Sequence, residues 1–81
     1  MARLTILDIQ AMKNKNEKIS VMTAYDSVSA RLAEAAGIPL LLVGDTLGMV
    51  IQGHNSTIPV TLDHMIYHTQ IVSRVTQKSF I

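Results

Sequence analysis

Two aspartates stand where a chain of alternating strands and helices would carry its chemistry. Asp45 follows the apolar run Pro39-Leu40-Leu41-Leu42-Val43-Gly44, and Asp26 follows Ile19-Ser20-Val21-Met22-Thr23-Ala24-Tyr25. In open parallel sheets and in barrels, active sites gather at the carboxyl ends of the strands. A carboxylate in that place is carried by a rigid element and suits a hard divalent cation, typically magnesium that keeps several of its waters. Gly44 lets the backbone turn sharply or admits a ligand closely. Thr46 adds a hydroxyl that can bond an acidic ligand. Asp45 would serve equally well as the cap of a following helical turn, and the spacing alone does not choose between the two roles. Asp26 stands where a helix needs an N-cap, and that role explains it.

The other candidates read as structure more readily than as chemistry. Tyr25 could line a pocket, but a packed aromatic accounts for it. His54, between Gly53 and Asn55, could bond a ligand or hold its own loop. His64 and His68 have the one-turn spacing of paired zinc ligands, yet Met65 occupies the place of the glutamate that the metalloprotease motif requires, which argues against metal there. Met12, Met22, Met49 and Met65 read as core filler.

Positioning Asp45 and Asp26 requires a strand before each. Ile19–Ala24 is short and half β-branched, and fits a buried strand. Pro39–Val43 is a continuous apolar run, as in strands covered on both faces by helices. Between them, Asp26 caps a predicted helix over Ser27–Ala36, with Val28, Leu32 and Ala35 as its apolar stripe and Gly37 ending it. The result is one strand–helix–strand unit, expected to be right-handed.

Upstream, Thr5 caps a predicted helix running to about Asn14 with Ile6, Leu7, Ile9 and Met12 at helical spacing, and the polar stretch 13–18 is a turn. Downstream, the segment Gly44–Val60 is long for a connection, and such segments in compact domains are usually functional or disordered. Leu47, Met49, Val50 and Ile51 within it predict order. A third helix starts at Thr61, with Asp63 favourable in its first turn. Leu62, Met65, Ile66, Thr69 and Val72 line one face, while Ile71 and Val75 on the other side predict a sandwiched second half. A third strand is expected to begin at Ser79-Phe80-Ile81.

Composition narrows the class. The chain has 81 residues, 48% hydrophobic and 16% charged. Globular domains average about 25% charged residues, and small ones should exceed that. An 81-residue chain hides only roughly 60–65% of its unfolded surface, so much of this apolar chain is expected to meet more protein. The net charge of +1 and scattered basic residues do not fit a nucleic-acid binder, which shows a basic stripe with aromatic platforms. The absence of cysteine excludes a disulfide scaffold and thiolate metal sites. The N-terminal MARLTILDIQ lacks the apolar core of a signal peptide, and no apolar run approaches the roughly 18 residues of a membrane span. The expected location is cytoplasmic.

The run Val43–Thr61, VGDTLGMVIQGHNSTIPVT, resembles the signature region of ketopantoate hydroxymethyltransferases, the 3-methyl-2-oxobutanoate hydroxymethyltransferases. Thr23–Asp26 (TAYD) and Tyr67–Thr69 (YHT) resemble the same family at the expected distances, so the likeness covers most of the chain. The resemblance implies an α/β fold, a (β/α)8 TIM barrel that forms large homo-oligomers, of which residues 1–81 supply the first two to three βα units as an amino-terminal part truncated before or within the third strand. A complete barrel needs about 250 residues.

The resemblance also implies a reaction. Such enzymes transfer a hydroxymethyl group from 5,10-methylenetetrahydrofolate to 3-methyl-2-oxobutanoate, giving 2-dehydropantoate for pantothenate synthesis, with a magnesium ion chelating the keto acid. By position, Asp45 matches the metal-ligating aspartate, and Thr46 matches the adjacent substrate-binding position, where the family usually has serine; threonine keeps the serine's hydroxyl. Asn55 stands where the family usually has aspartate, which removes a negative charge. The general base, a second metal-ligating aspartate and a substrate-binding lysine are implied beyond Ile81, so no catalytic residue is expected within the chain and the isolated chain is expected to be inactive. Two other readings compete: a non-catalytic interaction module, and a magnesium-dependent lyase of 2-oxo acids on a related barrel. The stretch from Gln52-Gly53-His54 to Pro59-Val60-Thr61 favours the transferase.

Overall fold

The computed structural model describes residues 2–81. Its elements follow the order α1 (Ile6–Asn14), β1 (Val21–Thr23), α2 (Ser27–Ala35), β2 (Leu40–Leu42), α3 (Leu47–Val50) and α4 (Leu62–Val75). β1 and β2 pair in parallel, with Val21 opposite Leu40, Met22 opposite Leu41 and Thr23 opposite Leu42. Where a third strand is expected, the two-stranded sheet gains one isolated bridge. Phe80 forms a parallel bridge to Leu40; its N–H donates to the Pro39 carbonyl at 2.8 Å, and its carbonyl accepts from the Leu41 N–H at 2.8 Å. β2 therefore lies between β1 and the bridging residue Phe80, and the architecture is α/β with a small parallel sheet.

The helix ends follow local chemistry. Thr5, Asp26 and Thr61 each close a capping box at the start of α1, α2 and α4, which satisfies N–H groups that the helix itself leaves unpaired. α2 ends before Gly37, whose φ of +83° is the left-handed conformation that stops a helix at little cost for glycine. Asn16, with φ +59°, makes the expected turn after α1. The stretch Gly44–Val60 contains α3 and otherwise runs mainly through turns and bends.

The helix faces depart from expectation. α2 buries Ala30 and Ala33, not the predicted stripe; Val28 is 64% and Leu32 67% exposed. Two alanines one turn apart let α2 sit close to α4 and the sheet, and small residues carry little weight in a pattern of large apolar side chains. In α4, Val72 is fully buried and Val75 packs on the core, whereas Leu62 and Ile66 of the predicted face are exposed. α1 buries no residue.

The strands are shorter than predicted, and β1 is exposed along its length, contrary to the expected burial. The core gathers Ala24, Ala30, Ala33, Leu41 and Val72, with Ile38, Val43, Val75 and Ile81 at its margin. Val21 and Leu42, one residue out of step with Leu41, belong to the other face of the sheet and are about half exposed. Met22 and Met49 are likewise exposed rather than core filler.

Candidate functional site

The carboxyl ends of β1 and β2 lie side by side, tied by the Ala24 N–H, which donates to the Leu42 carbonyl at 3.2 Å. The β1–α2 turn, Ala24-Tyr25-Asp26, and the β2–α3 turn, Val43-Gly44-Asp45-Thr46, both issue from this edge. Asp45 and Thr46 are exposed. Their backbone carbonyls start α3, accepting from the Gly48 and Met49 N–H groups at 3.0 and 2.9 Å. The N-cap position falls on Thr46 and carries no side-chain cap bond. The rival role for Asp45, a side-chain cap of the following turn, is therefore not adopted.

Asp26 does adopt the cap role. Its carboxylate accepts from the Ser29 N–H at 2.7 Å, and its own N–H donates to Ser29 Oγ at 3.4 Å. The Ser29 N–H and then the Ser29 hydroxyl hold the Asp26 carboxyl below the usual carboxylate range, aided by the Val28 N–H and the nearby His68 ring.

The two histidines of α4 separate in role. His64 Nδ1 accepts from the Thr61 N–H at 3.1 Å while the His64 N–H donates to Thr61 Oγ1 at 3.2 Å. His68, half-buried, bonds across the fold: its Nδ1 lies 2.7 Å from the Tyr25 carbonyl. No group of three His, Cys, Asp or Glu side chains able to hold a metal occurs among the described residues. His54 is exposed, and its backbone N–H donates to the Gly48 carbonyl at 2.9 Å, so its main chain holds the loop.

Four features escaped the sequence reading. Gly48 is buried beneath Val60, and a Cβ there would collide with Val60 Cγ2. Beside it Gln52 Oε1 is buried without a hydrogen-bond partner among the described residues. Glu34 presents its carboxylate to the N–H groups of Gln77, Lys78 and Ser79, at 2.9 to 3.4 Å. Arg3 reaches the same segment, donating to Thr76 Oγ1 at 3.0 Å and to the carbonyls of Ser79 and Thr76 at 2.6 and 2.8 Å. A lone glutamate and a lone arginine carry no sequence signal for such contacts; the glycine within an apolar segment was the one usable clue. Glu34 also lines a shallow cleft with Ala2, Leu4, Gly37, Ile38 and Lys78. That cleft lies at the amino end of the sheet, away from Asp45, where residues ordinarily serve stability.

A family model described as Ketopantoate hydroxymethyltransferase matches residues 3–81. The chain belongs to the ketopantoate hydroxymethyltransferase family. It is 60% identical over 79 residues to the 3-methyl-2-oxobutanoate hydroxymethyltransferase of Chloroflexus aurantiacus, covering 98% of this chain and 28% of that protein. The enzyme of the same name from Anaeromyxobacter sp. is 61% identical over 72 residues, 89% of this chain and 24% of the relative. That of Nitrosococcus oceani is 57% identical over the full 81 residues and 31% of the relative. The chain thus spans less than a third of the length of these relatives.

Proposed function

We propose that the chain is the amino-terminal part of a 3-methyl-2-oxobutanoate hydroxymethyltransferase built as a (β/α)8 barrel, acting in the cytoplasm as a homo-oligomer. β1, β2 and the start of the next strand would be the first three barrel strands. Their sequential parallel order fits this reading and argues against the order 2-1-3-4-5, in which β1 would lie between β2 and the third strand.

The observation that carries the function is Asp45: an exposed carboxylate at the carboxyl end of β2, not spent on capping α3, within a chain of this family. Its donor chemistry fits magnesium, which is typically held by one or two carboxylates and retains waters. Asp45 would hold the ion, and the Thr46 hydroxyl would orient the keto acid beside it. Bound there, the ion supplies Lewis acidity that polarises the keto-acid carbonyl and favours loss of the adjacent proton. The proton needs a general base within hydrogen-bond reach. Glu34 is unsuited to that task, since backbone N–H groups occupy its carboxylate at the far end of the sheet, and Glu17 lies in the turn after α1. The base, a second aspartate ligand, a lysine for the substrate and the site for 5,10-methylenetetrahydrofolate would come from sequence beyond Ile81.

Calorimetry on a longer protein containing this chain tests the reading. Asp45→Ala is expected to abolish magnesium-dependent binding of 3-methyl-2-oxobutanoate, and unchanged binding would overturn the assignment of Asp45. The isolated chain is expected to form no 2-dehydropantoate.

A further inference from the structure

Among the described residues, the bond between His68 and the Tyr25 carbonyl joins α4 to the carboxyl end of β1 through a side chain, over 43 positions of sequence. A carbonyl oxygen only accepts, so His68 must carry its proton on Nδ1. His64, one turn earlier, accepts through Nδ1 from a backbone N–H and therefore carries its proton on Nε2. The two rings hold opposite tautomers on one helix, each set by a backbone group. Tyr25 is buried and precedes the α2 cap Asp26, while Ala24 on its other side is bonded to β2 three residues before Asp45. A donor at the Tyr25 carbonyl thus fixes the one turn that flanks the Asp45 turn on this sheet.

We propose that His68 is a positioning residue of the site: its Nδ1–H pins the Tyr25 carbonyl and sets the β1–α2 turn beside Asp45. This rests on reading the carboxyl ends of the strands as the site. His68 touches no reacting atom in this role; it acts through the backbone of residues 24–26. The Tyr67 ring meets His68 edge-on, with centroids 5.3 Å apart and planes at 82°, which restrains the imidazole in the orientation the bond needs.

The test uses the full chain with nitrogen-15-labelled histidine. Nuclear magnetic resonance should find His68 protonated on Nδ1 and His64 on Nε2. An asparagine side-chain N–H₂ falls near the place of Nδ1, whereas that of glutamine falls near Nε2. Amide exchange at Ala24 and Asp26 should therefore stay within about twofold in His68→Asn and rise about tenfold in His68→Gln and His68→Ala, the loss of roughly one net hydrogen bond. A general packing role would not distinguish asparagine from glutamine in this way. An Nε2-protonated His68, equal exchange in all three variants, or unprotected Ala24 and Asp26 amides in the unsubstituted chain would overturn the proposal. Adding magnesium chloride and 3-methyl-2-oxobutanoate to an unsubstituted longer protein containing this chain separates the two readings. A missing response at the Asp45 amide bears on the proposed metal site, while the tautomer and the asparagine rescue decide the role of His68.

Discussion

Asp45 shows how far a single residue can be read. Its place after an apolar strand was legible, and so was the choice it faced between ligand and cap. Local backbone geometry sets aside only the cap, by placing the N-cap at Thr46 with no side-chain cap bond. Glu34 shows the opposite case, because its three N–H partners come from a segment more than 40 positions away. Partial burial opposes ionisation of Glu34, but the N–H groups of Gln77, Lys78 and Ser79, with Arg3 nearby, hold its pKa below the ordinary 4.5. A carboxyl with a depressed folded-state pKa adds stability above its unfolded value and loses it as the pH falls through the folded value. Stability should therefore decline from about pH 4.5 downward. Glu34→Gln should cost about 1 kcal/mol at neutral pH and flatten that acid limb, as denaturant titrations across pH would record. Gly48 offers a steric counterpart. Gly48→Ala drives a methyl group into Val60 and should destabilise by about 1–3 kcal/mol. Val60→Ala in the same chain should recover most of that loss, which thermal unfolding of the single and double variants would measure.

At the scale of elements, starts and stops were legible and faces were not. Thr5, Asp26 and Thr61 announce helices because a short polar side chain satisfies helix N–H groups within three residues, an interaction wholly contained in local sequence. Gly37 announces an end for an equally local reason. Which side of a helix turns inward depends on what it meets. α2 meets α4 and the sheet through Ala30 and Ala33, and its larger Val28 and Leu32 are left outside. Strand length was overestimated for a related reason: pairing ends where a partner ends, and the partner is remote in sequence. The same logic predicts which substitutions in α2 matter. Asp26→Ala removes the cap and should cost about 1 kcal/mol. Ala30→Leu should cost more, by overpacking, while Leu32→Ala, at an exposed site, should stay within about 0.5 kcal/mol. Chemical denaturation of the three variants gives the order directly, and a larger loss at Leu32 than at Ala30 would refute the observed face.

For the whole molecule, the low charge of the sequence predicts surface meant for more protein, and the structure shows where apolar side chains are exposed. Val21 and Leu42 are half exposed on the face of the sheet away from the core, and Ile6, Leu7, Val28 and Leu32 are exposed on helices. If the chain is the first part of a barrel, the open sheet face becomes the barrel interior, where side chains from alternate strands pack in layers. The two faces of β2 then respond differently to context. Leu41 is 2% exposed and belongs to the core, so Leu41→Ala should cost about 3 kcal/mol in any context that keeps this fold. Leu42 is 52% exposed, so Leu42→Ala should cost less than about 1 kcal/mol in the isolated chain, because little apolar surface returns to water. In a longer protein that closes a barrel around this sheet, the same Leu42→Ala should rise toward the cost of Leu41→Ala. Unfolding of both variants in both contexts supplies the comparison. A cost at Leu42 that stays small in the longer protein would show that this face never becomes an interior, and the barrel reading would fail with it.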